Sequence, residues 1–280
     1  MIGGRDWDLI KQSDRFRQEI HTPAIFPSLA EVRDALVYNW QKISYNSMIL
    51  LNSTPDDPAA GTLHNRDSDD SAVASRRGIW KRDAIAVTEQ WSAAVEAFVT
   101  LRRGRLSENE RIGVGILRIQ KELAMSALLV QRGHWDDQMK WDEFVPNFAY
   151  IIAMAKTIVL PTPLPHFSLD VGIIGPLYEV ASRCRDPVIR RDAINLLKIS
   201  TRQEGVWNAR LTARVAEKVV EIEEAGLGEV RSCEDVPDWA RISDVEPIFD
   251  QYARRVTIRY IRFKNAGDIR RQPVEEVIEW

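Results

Sequence analysis

Apolar side chains recur at intervals of three and four residues along most of this 280-residue chain, the spacing of one face of an α-helix. The most regular stripe follows a 4,3,4,3,4,3 spacing: Trp80, Ala84, Val87, Trp91, Ala94, Phe98 and Leu101. Because it extends over only about three heptads, it indicates a bundle or solenoid helix rather than a long coiled coil. Comparable stripes predict six further helices, beginning at Leu29, near Ser107, near Trp141, after Ser168, at Pro187 and near Trp207.

Several helix ends carry recognisable signals. Ser-x-x-Glu patterns at 28–31 and 107–110 predict capping boxes, in which the two side chains satisfy backbone groups of the first helical turn. Asp186 followed by Pro187 predicts a helix start, with a capping carboxylate and a proline at the position where no donor is lost. Gly226 predicts the end of the last helix.

Two segments depart from the helical pattern. Residues 54–78 are rich in Pro, Asp, Ser and Gly, which predicts a long exposed loop. Residues 256–261 alternate between two faces with a period of two, which is typical of a strand. A turn over 265–268 would return the chain toward 275–280, so we predict a small β-hairpin.

The predicted fold class is all-α, with about seven amphipathic helices in an irregular helical-repeat or bundle array and a small C-terminal β-hairpin. We expect an N-terminal arm over 1–27 and a helical domain over 28–245 that contains the exposed loop. The hairpin tail over 246–280 is expected to pack on the helical domain.

Composition and charge narrow the function classes. Hydrophobic residues make up 45% and charged residues 28% of the chain, as in an ordinary globular protein. The formal net charge is −3, so the chain lacks the overall basic character of a protein that binds nucleic acid by itself. Cys184 and Cys233 are expected to be free thiols. The first residues do not form a secretory signal, and the longest apolar stretch, 148–160, is too short to cross a bilayer. We therefore expect an intracellular protein.

Sequence motifs for catalysis or cofactor binding are missing. Gly113 and Gly115 begin like a dinucleotide loop, but Arg118 occupies the third glycine position and the segment lies in a helical stripe. The chain has neither Gly-x-Ser-x-Gly nor His-Glu-x-x-His. Its four histidines are far apart: His21, His64, His134 and His166. We therefore predict a non-enzyme with no catalytic residue, no bound cofactor and no metal site.

Asp136 and Asp137 raise the question of a magnesium site. Lys140 stands four residues after Asp136, where a second ligand would be needed, and Asp142 would point elsewhere on a helix. We interpret the pair as helix-capping residues.

The most conspicuous charge run contains four arginines: Arg183, Arg185, Arg190 and Arg191. One interpretation is an anion or phosphate site, assisted by the N-terminus of the helix after Asp186. The favoured interpretation is salt bridging, with Asp186 to Arg190 as an i,i+4 pair and with Glu179 and Asp192 nearby. The basic side chains of a second segment, 254–271, are expected to lie on the solvent-exposed face of the hairpin.

The stretch from Phe167 to Gly226 resembles the C-terminal region of fungal binuclear zinc-cluster transcription factors, which carry the fungal-specific transcription factor domain. The resemblance rests on DVGII-PLY (170–178), CRDPVIRR (184–191), the EG-W run (204–207) and ARVAE (213–217). Residues 27–36, Phe249-Asp250 and the closing EEVIEW extend it over nearly the whole chain.

The resemblance implies an all-α regulatory domain of a nuclear transcription regulator. In that family a separate module binds DNA through six cysteines and two zinc ions, and two cysteines cannot supply six thiolates. We therefore expect a regulatory domain without its own DNA-binding zinc cluster. Either the DNA-binding module is encoded upstream, or the chain is a free-standing relative of the family. Protein partners of the transcription machinery and a small-molecule effector are implied, with no membrane and no direct sequence-specific DNA binding.

Two alternative functions stay open. The helical array could be repurposed as a small-molecule binder or enzyme in a fungal secondary metabolic pathway, with Trp-rich helices lining an apolar cavity. It could also be a protein-interaction scaffold, since helical arrays offer broad grooves. The regulator is expected in the nucleus, and a free-standing protein in the cytoplasm.

Overall fold

The computed structural model describes residues 22–52, 66–130, 137–159, 166–168, 172–205, 207–250, 255–265, 267–268 and 270–279. Within these ranges seven α-helices succeed one another: α1 (Leu29–Asn52), α2 (Arg66–Leu101), α3 (Glu108–Val130), α4 (Val145–Val159), α5 (Ile174–Arg183), α6 (Pro187–Ile199) and α7 (Ala209–Glu224). Six strands accompany them: β1 (His166–Ser168), β2 (Arg202–Glu204), β3 (Trp207–Asn208), β4 (Ser243–Asp250), β5 (Arg255–Phe263) and β6 (Arg271–Glu279). Short 3₁₀ turns occupy Gln138–Phe144, Cys233–Asp235 and Asp238–Ala240.

The fold is mostly helical but not strictly all-α, because the C-terminal part forms a three-stranded antiparallel sheet. The predicted hairpin is present as β5 and β6, with Val256 opposite Ile278 and Tyr260 opposite Val274. The sequence analysis missed β4, since its proline and three acidic residues give no strand signal by themselves. Pairing with β5 is what makes this segment a strand.

Contacts gather in two compact units, Met1–Val114 and Gly115–Trp280. The helical domain expected over 28–245 includes residues of both units. The predicted arm over 1–27 lies outside the described residues up to residue 21.

In the first unit, α1 and α2 pack as an antiparallel pair. The indole N–H of Trp91 donates to the carbonyl oxygen of Val32 at 2.9 Å, and that of Trp80 donates to the carbonyl oxygen of Ile43 at 3.3 Å. The opposite order of these contacts along the two helices fixes their antiparallel direction. The heptad stripe of α2 supplies Ala84, Trp91, Ala94 and Phe98 to the core, whereas Leu101, its last member, is 69% exposed.

The exposed loop predicted over 54–78 is wrong for its second half. Helix α2 begins at Arg66, and residues 54–65 lie outside the described residues. Both prolines of this segment, Pro55 and Pro58, precede Arg66. Residues 66–77 contain neither proline nor glycine, and the helix begins about four turns before Trp80, the first residue of the apolar stripe.

The predicted helix caps are present. The backbone N–H of Glu31 donates to Ser28 Oγ at 3.3 Å, and that of Ser107 donates to the carboxylate of Glu110 at 2.8 Å. The carboxylate of Asp186 accepts from two backbone N–H groups at the start of α6, with Pro187 as the first helical residue. Gly226 comes just after α7 with a φ of 78°, a conformation that favours glycine.

In the second unit, α4 to α7 pack on one another around a core of aliphatic side chains. The face predicted for α4 is buried as expected: Phe148, Ile152, Ala155 and Val159. The helix predicted to run from Ser168 through Val180 is present, but its predicted start is wrong, because 166–168 form β1, which pairs in parallel with β2. Helix α5 begins instead at Ile174. Within the described part of the chain, no helix is long and apolar enough to cross a membrane.

Candidate functional site

Three arginine side chains of the second unit are completely buried: Arg185, Arg190 and Arg241. The loop between α5 and α6 carries the first, the opening turns of α6 carry the second, and the third lies directly after the 3₁₀ turn at Asp238–Ala240. A buried guanidinium is costly unless charge and hydrogen bonds compensate it, so the surroundings of each one define the chemistry of this site.

Glu223, near the end of α7, bridges two of these arginines. Its carboxylate accepts from Arg185 at 2.6 and 3.2 Å, and Arg190 Nη2 donates to Oε2. The backbone N–H of Ile242 donates to the same carboxylate at 2.9 Å. Burial by itself would raise the pKa of Glu223, but the two guanidinium charges and their hydrogen bonds hold it at about 2. Glu223 is therefore a buried anion at neutral pH.

Arg241 uses all five of its donors. It binds Asp142 in a bidentate manner, with distances of 2.8 and 2.7 Å to the two carboxylate oxygens. It also donates to the carbonyl oxygens of Val236 at 2.7 Å, Gln138 at 3.0 Å and Cys233 at 2.8 Å. Its donor capacity is filled by the chain itself, which leaves none for a ligand.

The other two guanidinium groups also reach backbone carbonyls. Arg185 donates to the carbonyl oxygens of Arg183 at 2.7 Å and Ile242 at 3.3 Å, and Arg190 Nε donates to that of Ala181 at 2.8 Å. Together the three arginines join α5, α6, α7, the 3₁₀ turn before α4 and the chain entering β4. The cluster acts as an internal brace that fixes the relative positions of these elements.

The arginine run of the sequence is thus divided between the interior and the surface. Arg183 pairs with Glu179, and Arg191 lies 2.6 Å from the carboxylate of Glu224. Each of the four arginines has a carboxylate partner, which favours the salt-bridge interpretation over the anion site. The expected side-chain pair between Asp186 and Arg190 does not form, because Asp186 caps α6.

A second buried carboxylate, Glu204, caps α5 from a distant part of the sequence. It accepts from the backbone N–H groups of Gly172, Ile173 and Ile174 at 3.1, 3.0 and 2.9 Å. A Cβ at Gly172 would lie 2.1 Å from Glu204 Oε1, so only glycine fits there. This anchor replaces the expected Ser168 cap. The Glu-Gly-x-Trp run was its only sequence signal, and sequence reasoning did not assign it.

Two of the aspartates considered for magnesium, Asp137 and Asp142, have structural roles. Asp137 accepts from the backbone N–H of Met139 at 3.2 Å, capping the 3₁₀ turn, and Lys140 Nζ lies 3.5 Å from it. Asp142 belongs to Arg241, and Asp136 lies outside the described residues.

The histidines form no common site in the described part of the structure. His21, His64 and His134 lie outside the described residues, and His166 lies in β1. Among the residues that are described, no group of three or more His, Cys, Asp or Glu could hold a metal ion.

The two cysteines are free thiols. Cys184 is completely buried, and burial raises the pKa of its thiol to about 12. Burial also raises the pKa of Cys233. Since zinc binds the thiolate form and a two-zinc cluster needs six of them, these residues do not fit the zinc cluster of the resembling family.

The first unit has an open surface groove of about 450 Å³ between the 22–24 segment and α2. Its lining consists of Thr22, Pro23, Ala24, Gln90, Ala93 and Ala94. None of these side chains is ionisable, so they supply no charged acid or base to the groove.

Comparison with known proteins adds one relative. A region of 114 residues is 35% identical to the aspercryptin biosynthesis cluster-specific transcription regulator atnN of Emericella nidulans. Over this region the chain is similar to a fungal transcription regulator. The match covers 38% of the chain and 18% of that regulator. No protein-family model and no solved structure matches the chain.

Proposed function

We propose that this chain is a regulatory region of a fungal transcription regulator of the zinc-cluster class, acting in the nucleus through protein contacts. The observation that carries the proposal is the 35% identity to a cluster-specific transcription regulator. Because the match covers only part of each chain, it supports a relationship to transcription regulators at family level. The assignment to the zinc-cluster class rests on the sequence resemblance over 167–226.

The residues of that resemblance have scaffold roles, which supports a regulatory rather than a catalytic domain. Asp186 and Pro187 start α6, and Arg190 belongs to the internal brace. Glu204 anchors α5, and the ring of Trp207 lies 5.7 Å from that of Tyr178. A motif whose members hold helices together specifies a fold, so the proposal assigns no catalytic role.

The proposal assigns DNA reading to another module or partner. The chain carries a net charge of −3. Part of the positive charge in its terminal basic segment is paired with carboxylates: Arg255 lies 3.4 Å from Asp250 and Arg259 lies 2.8 Å from Glu275. Weak, salt-sensitive and sequence-independent DNA binding is the expected behaviour of such a surface.

The proposal is tested by transcript profiling in a fungal strain from which the gene has been deleted. We expect altered expression of a group of biosynthetic genes, restored by the wild-type gene and by the surface variant Glu221→Gln. A Glu223→Gln variant, which disrupts the brace, is expected to fail to restore it. An unchanged transcript profile together with a chain excluded from the nucleus would contradict the proposal.

A second measurement addresses DNA directly. Fluorescence anisotropy with labelled duplexes of different sequence should give weak binding that is equal for all duplexes at physiological salt. Tight binding to one sequence by the purified chain would overturn the assignment of DNA reading to another module.

A further inference from the structure

The C-terminal sheet has one covered face and one open face. In β5 the side chains of Val256, Ile258 and Tyr260 are buried, at 1%, 0% and 2% exposure. On the opposite side of the strand, Arg255 and Arg259 are exposed and Thr257 between them is half-buried. Side chains alternate across a strand, and directly opposite residues of neighbouring strands point to the same face. The β4 and β6 residues opposite Arg255, Thr257 and Arg259 therefore lie on the open face with them.

An aliphatic row crosses the middle of the open face. Ile248 in β4 and Val277 in β6 both lie opposite Thr257 in β5, so the three side chains form one line across the sheet. Ile248 is 39% and Val277 54% exposed. Two branched aliphatic side chains in the same exposed row form a contact surface rather than scattered single residues.

Rows of charge flank this aliphatic row on both sides. In each row a central arginine of β5 lies between two carboxylates of the neighbouring strands: Asp250, Arg255 and Glu279 on one side, and Glu246, Arg259 and Glu275 on the other. With four carboxylates and two guanidinium groups, these two rows together carry a net charge of −2. An occupant with positive charge on both sides of an apolar centre is complementary to it.

The open face and its edges disfavour a second copy of the chain as the occupant. Stacking two such faces would bring two net negative surfaces together. Both edge strands also contain a proline, Pro247 in β4 and Pro273 in β6, which lacks the N–H that strand addition requires.

We propose that the open face of β4–β6 is a docking surface for a basic extended segment of a partner protein, in which every second residue is in turn a lysine or arginine, an aliphatic residue and again a lysine or arginine, so that all three lie on one side of the segment. The aliphatic side chains contact Ile248 and Val277, and the cations lie over the carboxylate rows on either side. The proposal rests on the geometry of the sheet alone and is independent of the function proposed above.

The probe is a synthetic peptide, Lys-Ser-Val-Ser-Lys-Ser-Val-Ser-Lys, which in an extended conformation presents lysine and valine alternately on one side. It is titrated into the purified full chain, labelled with ¹⁵N, and amide shifts are recorded by NMR. We expect the shift changes to concentrate in β4, β5 and β6, and the affinity to fall as salt is raised. A peptide with glutamate in place of lysine is expected not to bind. Shifts spread over the whole chain, or no shifts at millimolar peptide, would overturn the proposal.

Two double variants separate this surface from general negative charge. The variant Ile248→Thr with Val277→Thr keeps branched strand-forming residues but removes the apolar contact, and should weaken binding by about tenfold. The variant Glu246→Gln with Glu279→Gln removes two charges from the open face and should weaken it by about threefold to tenfold. The matched control, Glu229→Gln with Glu234→Gln, removes two exposed carboxylates outside the sheet and should leave the affinity unchanged. Equal weakening by the control, or a shift of the free chain to dimer mass, would count against the proposal.

Discussion

Replacing Glu223 by glutamine is expected to destabilise the second unit strongly, because the substitution keeps the shape of the side chain and removes its charge. Arg185 and Arg190 would then remain buried without a full counter-charge. The difference between the ordinary pKa of 4.5 and the value of about 2 in the folded chain corresponds to roughly 3 kcal/mol. The usual cost of breaking a buried ion pair by removing one partner, about 3–5 kcal/mol, gives the same magnitude.

The assay is urea unfolding of the full chain, monitored by circular dichroism. With an m-value of about 2–3 kcal/mol/M, a loss of this size lowers the midpoint by about 1 M. The matched control is Glu221→Gln on the same helix, whose carboxylate is 71% exposed and 2.9 Å from Lys218. An exposed pair of this kind contributes less than about 1 kcal/mol. Equal midpoints for Glu223→Gln and the wild type would refute the reasoning.

The same comparison has a defined pH dependence. The folded-state pKa of Glu223 lies below its unfolded value, so its stabilising contribution is complete above about pH 5 and declines as the pH falls from about 4.5 toward 2. The stability difference between the wild type and Glu223→Gln should therefore shrink in acid. A difference that stays constant from about pH 6 to about pH 3 would show that the charge of Glu223 is not what holds the brace.

Three further predictions use thermal unfolding and thiol labelling. Gly172→Ala should cost about 2–4 kcal/mol, because its Cβ would collide with the carboxylate of Glu204. Trp91→Phe should cost about 1–3 kcal/mol, because it loses the hydrogen bond to the Val32 carbonyl oxygen and leaves a void in the core. The thiol of Cys184 should resist a thiol-reactive reagent in the folded chain, since burial disfavours its thiolate, and should react once urea unfolds the protein.

Each of these predictions has its own control. Gly175→Ala adds the same methyl group within α5 where a Cβ meets nothing within 4 Å, so it should not destabilise the chain. A loss at Gly175 as large as that at Gly172 would exclude the Glu204 contact as the cause. An unfolding temperature of Trp91→Phe equal to that of the wild type would contradict the prediction for Trp91. Rapid labelling of the folded chain in a Cys233→Ser background would contradict the prediction for Cys184.

Local sequence signals predicted the elements whose causes are local. The capping boxes, the start of α6 at Asp186 and the buried face of α4 depend on residues within a few turns of one another, and all three are present. The same holds for β5, whose alternation is visible in its own sequence.

The features that sequence reasoning missed depend on distant partners. Arg241 and Asp142 are 99 residues apart, and Glu204 caps a helix that starts 30 residues earlier. Strand β4 pairs with β5 although a proline and three acidic residues, types depleted in strands, interrupt its apolar residues. The sequence favours salt bridging for the arginine run, but of the three carboxylates it suggests only Glu179 pairs with an arginine of the run. The central carboxylate, Glu223, is evident only from the packed helices.

The central claim is that this chain regulates transcription through protein contacts without reading DNA sequence itself. Fusing the full chain to an unrelated DNA-binding domain, and measuring a reporter gene that carries the matching binding sites in a fungal host, tests it most directly. We expect reporter output to change for the fusion relative to the DNA-binding domain alone, and to return to that level in the Glu223→Gln fusion but not in the Glu221→Gln fusion. Reporter output identical to that of the DNA-binding domain alone, from a fusion that is stably expressed and bound at the reporter, would contradict the account.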